Sequence, residues 1–180
     1  MKAAANKRIF FALWPDDTVR DHLNYVFKQA YQSSLPGRKL PATNFHLTLH
    51  FLGNVSAQMY DCVEKAAEQV TLNPFELRLD TFGAFAGARV FWSGMTGIPG
   101  ELTQLQKTLG QLLVSCGYTP ERRPFSPHVT LMRKVKCTET LQGHEPVRWQ
   151  VDRFALVESV SVEGGVEYRP LRFYELGGDK

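Results

Sequence analysis

The chain predicts an α+β fold in two similar lobes that meet edge to edge around a cleft. Three observations carry this. Strand-like and helix-like segments alternate; the strand-helix-strand unit 8–51 is matched by a second at 89–132; and each unit closes on a strand reading His, apolar, Thr, apolar, at 46–49 and 128–131. The offset between the two histidines is close to half the chain, as an internal duplication requires.

Segment 8–14 is apolar and aromatic-rich, the composition of a strand, and Pro15 followed by Asp16 and Asp17 opens a helix with acids in its first turn. Val19, Leu23, Phe27, Ala30 and Tyr31 recur at helical spacing to about Gln32, where Ser33, Ser34, Leu35, Pro36 and Gly37 stop the pattern. Segment 45–51 alternates strictly, with Phe45, Leu47, Leu49 and Phe51 on one face and His46, Thr48 and His50 on the other. The second face carries the groups capable of chemistry. Ser56 caps a helix reaching Val70, with Met59, Val63, Ala66 and Ala67 on its apolar side.

Segment 75–82 alternates as a strand, and after the small residues of 83–87 segment 89–94 returns beside it as a hairpin. Leu102, Leu105, Leu109, Leu112, Leu113 and Cys116 form one stripe of a helix over 101–116, which Gly117 ends. A proline-punctuated stretch holding Arg122 and Arg123 leads into the strand 128–132, and 134–148 reads as a polar loop. Segments 151–162 and 166–176, turned by Gly164 and Gly165, close the chain as a hairpin.

A chain of 180 residues suits one compact unit spanning 1–180. Its 43% hydrophobic and 22% charged residues exclude disorder, coiled coil and collagen. The apolar run 9–14 is shorter than a signal-peptide core and ends in Pro-Asp-Asp, so neither export nor a membrane span is expected. Cys62, Cys116 and Cys137 are odd in number and widely spaced, which predicts neither a disulfide framework nor a zinc knuckle and fits a reducing cytoplasm. The net charge of +3 permits an anionic ligand without the dense basic stripe of a strong nucleic-acid binder.

With five histidines, twelve threonines and this apolar content, chance yields roughly 0.06 His-apolar-Thr-apolar tetrads per chain, so a pair arises in about two random chains per thousand. Strand geometry explains the spacing: residues i and i+2 project from one face roughly 6.6 Å apart, enough for a phosphate between imidazole and hydroxyl. Two such strands side by side set two imidazoles across one tetrahedral anion. A neutral histidine then takes a proton from water attacking phosphorus, a protonated one returns a proton to the leaving oxygen, and threonine hydroxyls stabilise the non-bridging oxygens. No metal is needed: His46 and His50 are four apart, but on a strand that is about 13 Å, too far to share an ion. His22 and His144 are expected to be solvated or structural.

At these motifs the sequence resembles the two-histidine phosphoesterase superfamily, and within it the RNA 2′,3′-cyclic phosphodiesterases first described as 2′-5′ RNA ligases. The matching stretches are Arg8 to Leu13 with Pro15, HLTLHFLG at 46–53, Arg89 to Trp92, RRPFSPHVTLMR at 122–133, and Tyr168 through Leu171 to Leu176. The resemblance implies a bilobal α+β fold with antiparallel sheets around a central cleft, and hydrolysis of RNA or nucleotide 2′,3′-cyclic phosphates to 2′-phosphomonoesters, with reversible 2′-5′ ligation as a side capability. It implies His46 as proton donor, His128 as proton acceptor, Thr48 and Thr130 on the phosphate, and Arg133 beside them. No cofactor, no metal and no membrane partner are expected, and the chain is expected to be a cytoplasmic monomer. In a regular strand Arg133 has the opposite parity to His128 and Thr130, so it reaches the pocket only if the strand twists or ends there. Phe10, Phe11, Phe45, Phe125 and Trp92 are expected in core packing rather than base stacking.

Two other readings share the fold: a module that holds nucleotides or RNA without turnover, and a phosphodiesterase for small cyclic phosphates unrelated to RNA. The intact histidines and threonines favour catalysis over the first.

Overall fold

The computed structural model describes residues 6–31, 35–136 and 142–177. Ser33 and Ser34 of the first helix stop, Cys137, and 137–141 of the polar stretch lie outside the described residues. The described elements run β1 (Lys7–Leu13), α1 (Asp17–Tyr31), β2 (Arg38–Lys39), a 3₁₀ turn (Ala42–Asn44), β3 (Leu47–Val55), α2 (Ala57–Ala67), β4 (Phe75–Phe85) and β5 (Val90–Gly94). They continue as α3 (Gly100–Val114), β6 (Val129–Arg133), β7 (Gln142–Val151), β8 (Arg153–Val162) and β9 (Gly165–Glu175). Asp16 caps α1 by accepting from Val19 N at 2.8 Å, Ser56 caps α2 by accepting from Met59 N, and Gly117 follows α3 with φ near +86°, a conformation glycine adopts without strain.

The strands form one antiparallel sheet in the order β7-β4-β5-β6-β3-β1-β8-β9, with β2 on a branch against β6. The two halves join through a single bridge, Leu47 of β3 opposite Val129 of β6. Beyond it β6 pairs with β2 instead, Arg38 to Arg133 and Lys39 to Met132, so β3 and β6 part and open a cleft.

The helices bind the halves together. α1, which follows β1, packs Phe27 and Tyr31 against Phe82 of β4 and Phe91 of β5 in the other half. α3, which follows β5, crosses back to lay Gly110 against His50 of β3 and packs on α2. One apolar cluster therefore runs through both halves, while Phe10, Ala12, Ala155 and Val157 make a smaller one on the opposite, cleft-bearing face with Trp14 and Tyr168.

Two expectations are corrected here. Part of the polar stretch 134–148 is strand, because β7 pairs along β4 from Phe75↔Val151 to Phe82↔Gln142 and alternates Val147, Trp149 and Val151 inward. The cysteines do form a disulfide: Cys62 of α2 is bonded to Cys116, just past α3. An odd count bars a complete set of pairs, but it cannot exclude one pair between two helices that pack side by side.

Candidate active site

The bridge between Leu47 and Val129 registers the two motifs against each other. In an antiparallel pair the neighbours of a bridge also face one another, which sets His46 across from Thr130 and Thr48 across from His128 on the cleft face. His46 Nδ1 donates to Asn44 O at 2.7 Å, and His128 Nδ1 donates to Ser126 O at 2.7 Å. A carbonyl only accepts, so each Nδ1 carries hydrogen and each Nε2 is left for chemistry.

Bulges then reset which side chains reach the cleft. Against β1 the register of β3 slips at Leu49, with Ala12 opposite Thr48 but Phe11 opposite His50. Leu49 and His50 both turn into the core, where His50 Nε2 donates to Gln106 O at 2.6 Å and its Nδ1 accepts from Tyr118 Oη at 3.2 Å. His50 is thus a structural histidine, and its predicted place beside His46 and Thr48 is corrected. Phe51, expected on the core face, swings to the cleft in its stead.

The second motif repeats the device. β5 pairs Trp92 with Thr130 but Phe91 with Met132, so Leu131 is the extra residue and Arg133 regains the parity of Thr130. The sequence-derived conflict over Arg133 is resolved: it lines the cleft, and its charge lowers the pKa values of both His46 and His128. Burial is the larger cause in each case. It pushes His46 down to about 4, the hydrogen bond to Asn44 O opposing it and Arg133 and His128 adding to it; His128 is lowered by burial and Arg133 against the bond to Ser126 O. Both imidazoles are therefore neutral at neutral pH.

Their surroundings differ. His46 lies among Phe10, Trp14 and Tyr168, with ring centroids 4.9, 5.9 and 4.9 Å away, whereas His128 meets Phe85 at 4.9 Å and Trp92 at 6.2 Å. Asn44 stitches the first side together: its buried amide donates to Val166 O at 2.9 Å and accepts from Tyr168 N, pinning β9 to the turn that orients His46. The cleft beside His46 and Thr48 is a cavity of about 820 Å³ walled by the 3₁₀ turn, β2 and the β8–β9 turn. Arg8, Arg38, Arg89, Arg133 and Lys134 line it against one acid, Glu163. Arg89 and Lys134 both hold left-handed backbones, φ 53° and 58°, and adjoin through Arg89 Nη2 to Lys134 O.

Asn44, Phe51, Arg8 and Arg38 were not singled out for the site from the sequence. The only signal for Asn44 is the turn-forming Pro-Ala-Thr-Asn before the motif, and Phe51 is hidden by the strict alternation around it. Of the aromatics expected in the core, Phe11 and Phe45 are fully buried; Phe10 is buried too, but on the cleft face against His46. His144 is structural, accepting from the buried Ser93 hydroxyl at 2.9 Å. Among the described residues no three His, Cys, Asp or Glu side chains converge as a metal site would require.

A family model for the 2′-5′ RNA ligase superfamily matches residues 18–163. The chain belongs to this superfamily. It is 32% identical over 172 residues to an RNA 2′,3′-cyclic phosphodiesterase of Escherichia coli K12, covering 94% of this chain and 97% of that one. A protein of the same name from Aeropyrum pernix is 34% identical over 77% of this chain and 86% of its own. Among solved structures, E. coli LigT complexed with 3′-AMP superposes with a TM-score of 0.88 at 31% identity, over 96% of this chain and 99% of that one. LigT complexed with phosphate superposes at 0.83. The two-lobed α+β fold and the superfamily resemblance drawn from the motifs are borne out.

Proposed function

We propose that this protein is an RNA 2′,3′-cyclic phosphodiesterase, a single bilobal unit over 1–180 that hydrolyses a terminal cyclic phosphate to a 2′-phosphomonoester without metal. The observation that carries the reading is the Leu47–Val129 bridge, which registers two His-x-Thr strands against each other, each with its imidazole bound through Nδ1 to a backbone carbonyl and its Nε2 left for chemistry. The relatives named for this activity support it across most of the chain.

Water attacks phosphorus as His128 Nε2 takes its proton, the bond from phosphorus to the 3′ oxygen breaks, and His46 Nε2 protonates that oxygen. Thr48 and Thr130 hydroxyls and the Arg133 guanidinium hold the non-bridging oxygens as their charge grows. Burial holds His46 neutral near pH 7, so a phosphodiester anion must raise its pKa before it can act as the acid; substrate and proton bind together. The five cations of the cavity suit the backbone leading to the RNA end. Every group named comes from one chain, which suits a monomer, and an RNA substrate suits the cytoplasm. Among the described residues no helix is long and apolar enough to cross a membrane.

The test is product analysis on an oligoribonucleotide ending in a 2′,3′-cyclic phosphate, in EDTA. A 2′-phosphate end is expected, with His46→Ala and His128→Ala each losing roughly 10²- to 10⁴-fold in rate. Full activity in either variant would remove that histidine from the mechanism.

A further inference from the structure

A general acid has to be protonated before the leaving oxygen departs, and His46 stands where a cation is hard to keep. Burial disfavours its charge, and Arg133 of β6 and His128 just ahead of that strand oppose it. Glu163 of the β8–β9 turn is the one acid lining the cavity, and Arg8 of β1 lies against Phe51. The His46 ring itself meets Asn44 O and three aromatics, Phe10, Trp14 and Tyr168.

Of these aromatics, Trp14 alone lies parallel to the imidazole, at an interplanar angle of 16° and 5.9 Å between centroids; Phe10 is tilted at 40° and Tyr168 stands edge-on at 77°. An aromatic face attracts a cation within about 6 Å of its centroid, and tryptophan does so best. The local sequence sets this geometry. Phe10, Ala12 and Trp14 alternate onto the cleft face, and Pro15 holds the residue before it extended, so the alternation of β1 carries one step past its end. Arg20, in the first turn of α1, backs the indole with its guanidinium carbon 5.3 Å from the ring centroid. Its Nη1 donates to Asp17 Oδ1 at 3.0 Å, and its buried Nε has no hydrogen-bond partner among the described residues. The second motif has no such stack: His128 meets Phe85 edge-on at 83° and Trp92 at 51°. The parallel face lies beside the histidine that has to hold its proton first.

We propose that Trp14, backed by Arg20, is a positioning residue for His46: its indole fixes the imidazole plane and stabilises the imidazolium that protonates the leaving oxygen. This rests on the cyclic phosphodiesterase reading above and adds what keeps the acid charged in a buried place. Trp14 stands outside the wall of the cavity beside His46 and Thr48, so it acts through the histidine.

The experiment places mono- and trifluorinated tryptophan at position 14 by nonsense suppression, because fluorine drains the ring face of charge while keeping its shape. Trp14→Leu and Trp14→Phe are measured beside them on an oligoribonucleotide ending in a 2′,3′-cyclic phosphate. The basic limb of kcat, where His46 loses its proton in the complex, is expected to move down stepwise with fluorination, by roughly 0.4 to 1.5 pH units in all. Trp14→Leu should lower kcat roughly 2- to 30-fold with KM little changed, and Trp14→Phe should recover part of it. A limb that fluorination leaves in place overturns the proposal, and so does a loss confined to KM, which would make Trp14 a substrate contact. If wild type does not turn over the oligonucleotide, the functional reading fails instead, and Trp14 is judged by NMR titration of His46 in saturating inorganic phosphate, its signal assigned with His46→Gln. The midpoint must then fall with fluorination; an unmoved midpoint overturns the stack.

Discussion

Burial of His46 and His128 ties the chemistry to stability. Both pKa values are lowered in the folded state, His46 to about 4 against an ordinary 6.5. The unfolded chain therefore binds more protons between these values, and stability falls as pH drops from about 6.5 towards 4. Thermal denaturation across that range should show the loss, with a shallower slope in His46→Gln; a flat profile would mean the rings are solvated. The same shifts place the optimum of kcat/KM on the acid side of 6.5, because that parameter reports the free enzyme, while the basic limb of kcat moves up once the phosphate is bound. At this scale the sequence was most legible: His46, Thr48, His128 and Thr130 were all named from one repeated spacing. The structure sets His46 and Thr48 on the cleft wall and brings the partner motif across the bridge.

At the scale of elements, the alternation rule failed where the chemistry needed it to. Helices and hairpins followed from apolar spacing and turn residues, since those signals are local. The bulges at Leu49 and Leu131 left no such signal, being imposed by the neighbouring strand, and they exchanged His50 for Phe51 and brought Arg133 in. β2 is too short to show a period, and the first half of β7 reads as loop because Gly143, Pro146 and their polar neighbours hold no apolar alternation. The bulge also creates a tight contact: a Cβ at Gly110 of α3 would lie 2.8 Å from His50 Cε1. The ring is held by two hydrogen bonds and cannot yield, so the overpacking penalty of about 1–3 kcal/mol exceeds the helix-propensity gain of up to about 1 kcal/mol. Gly110→Ala should lower Tm by several degrees; a rise in Tm would show that β3 shifts to make room.

The whole molecule is crossed over, each half's helix covering the other half's strands, and the disulfide adds a covalent tie between α2 and α3. Cys62 and Cys116 are 54 residues apart, a loop whose closure restricts the unfolded chain by about 4 kcal/mol. Reduction should lower Tm by roughly 8–16 °C for a chain of this size, as scanning calorimetry with and without dithiothreitol will read. An unchanged Tm would mean that the thiols are not joined in solution. Charge shows a similar difference between sum and placement. The net charge is only +3, yet five cations share one cleft, so log K for single-stranded RNA should fall with log salt at a slope of up to roughly −3.5.

The bridge between Leu47 and Val129 has one more implication. Two imidazoles related by an approximate twofold are interchangeable, so a cyclic phosphate laid across them one way loses its 3′ oxygen and, turned end for end, its 2′ oxygen. Nothing in the histidines themselves chooses between the two products. The choice falls to what breaks the symmetry: the Phe10, Trp14 and Tyr168 cage on one side and the Phe51–Arg133 inequality across the bridge. Regiochemistry in this protein is thus a property of the walls around the reaction, and variants in those walls are where mixed 2′- and 3′-phosphate products should first be found.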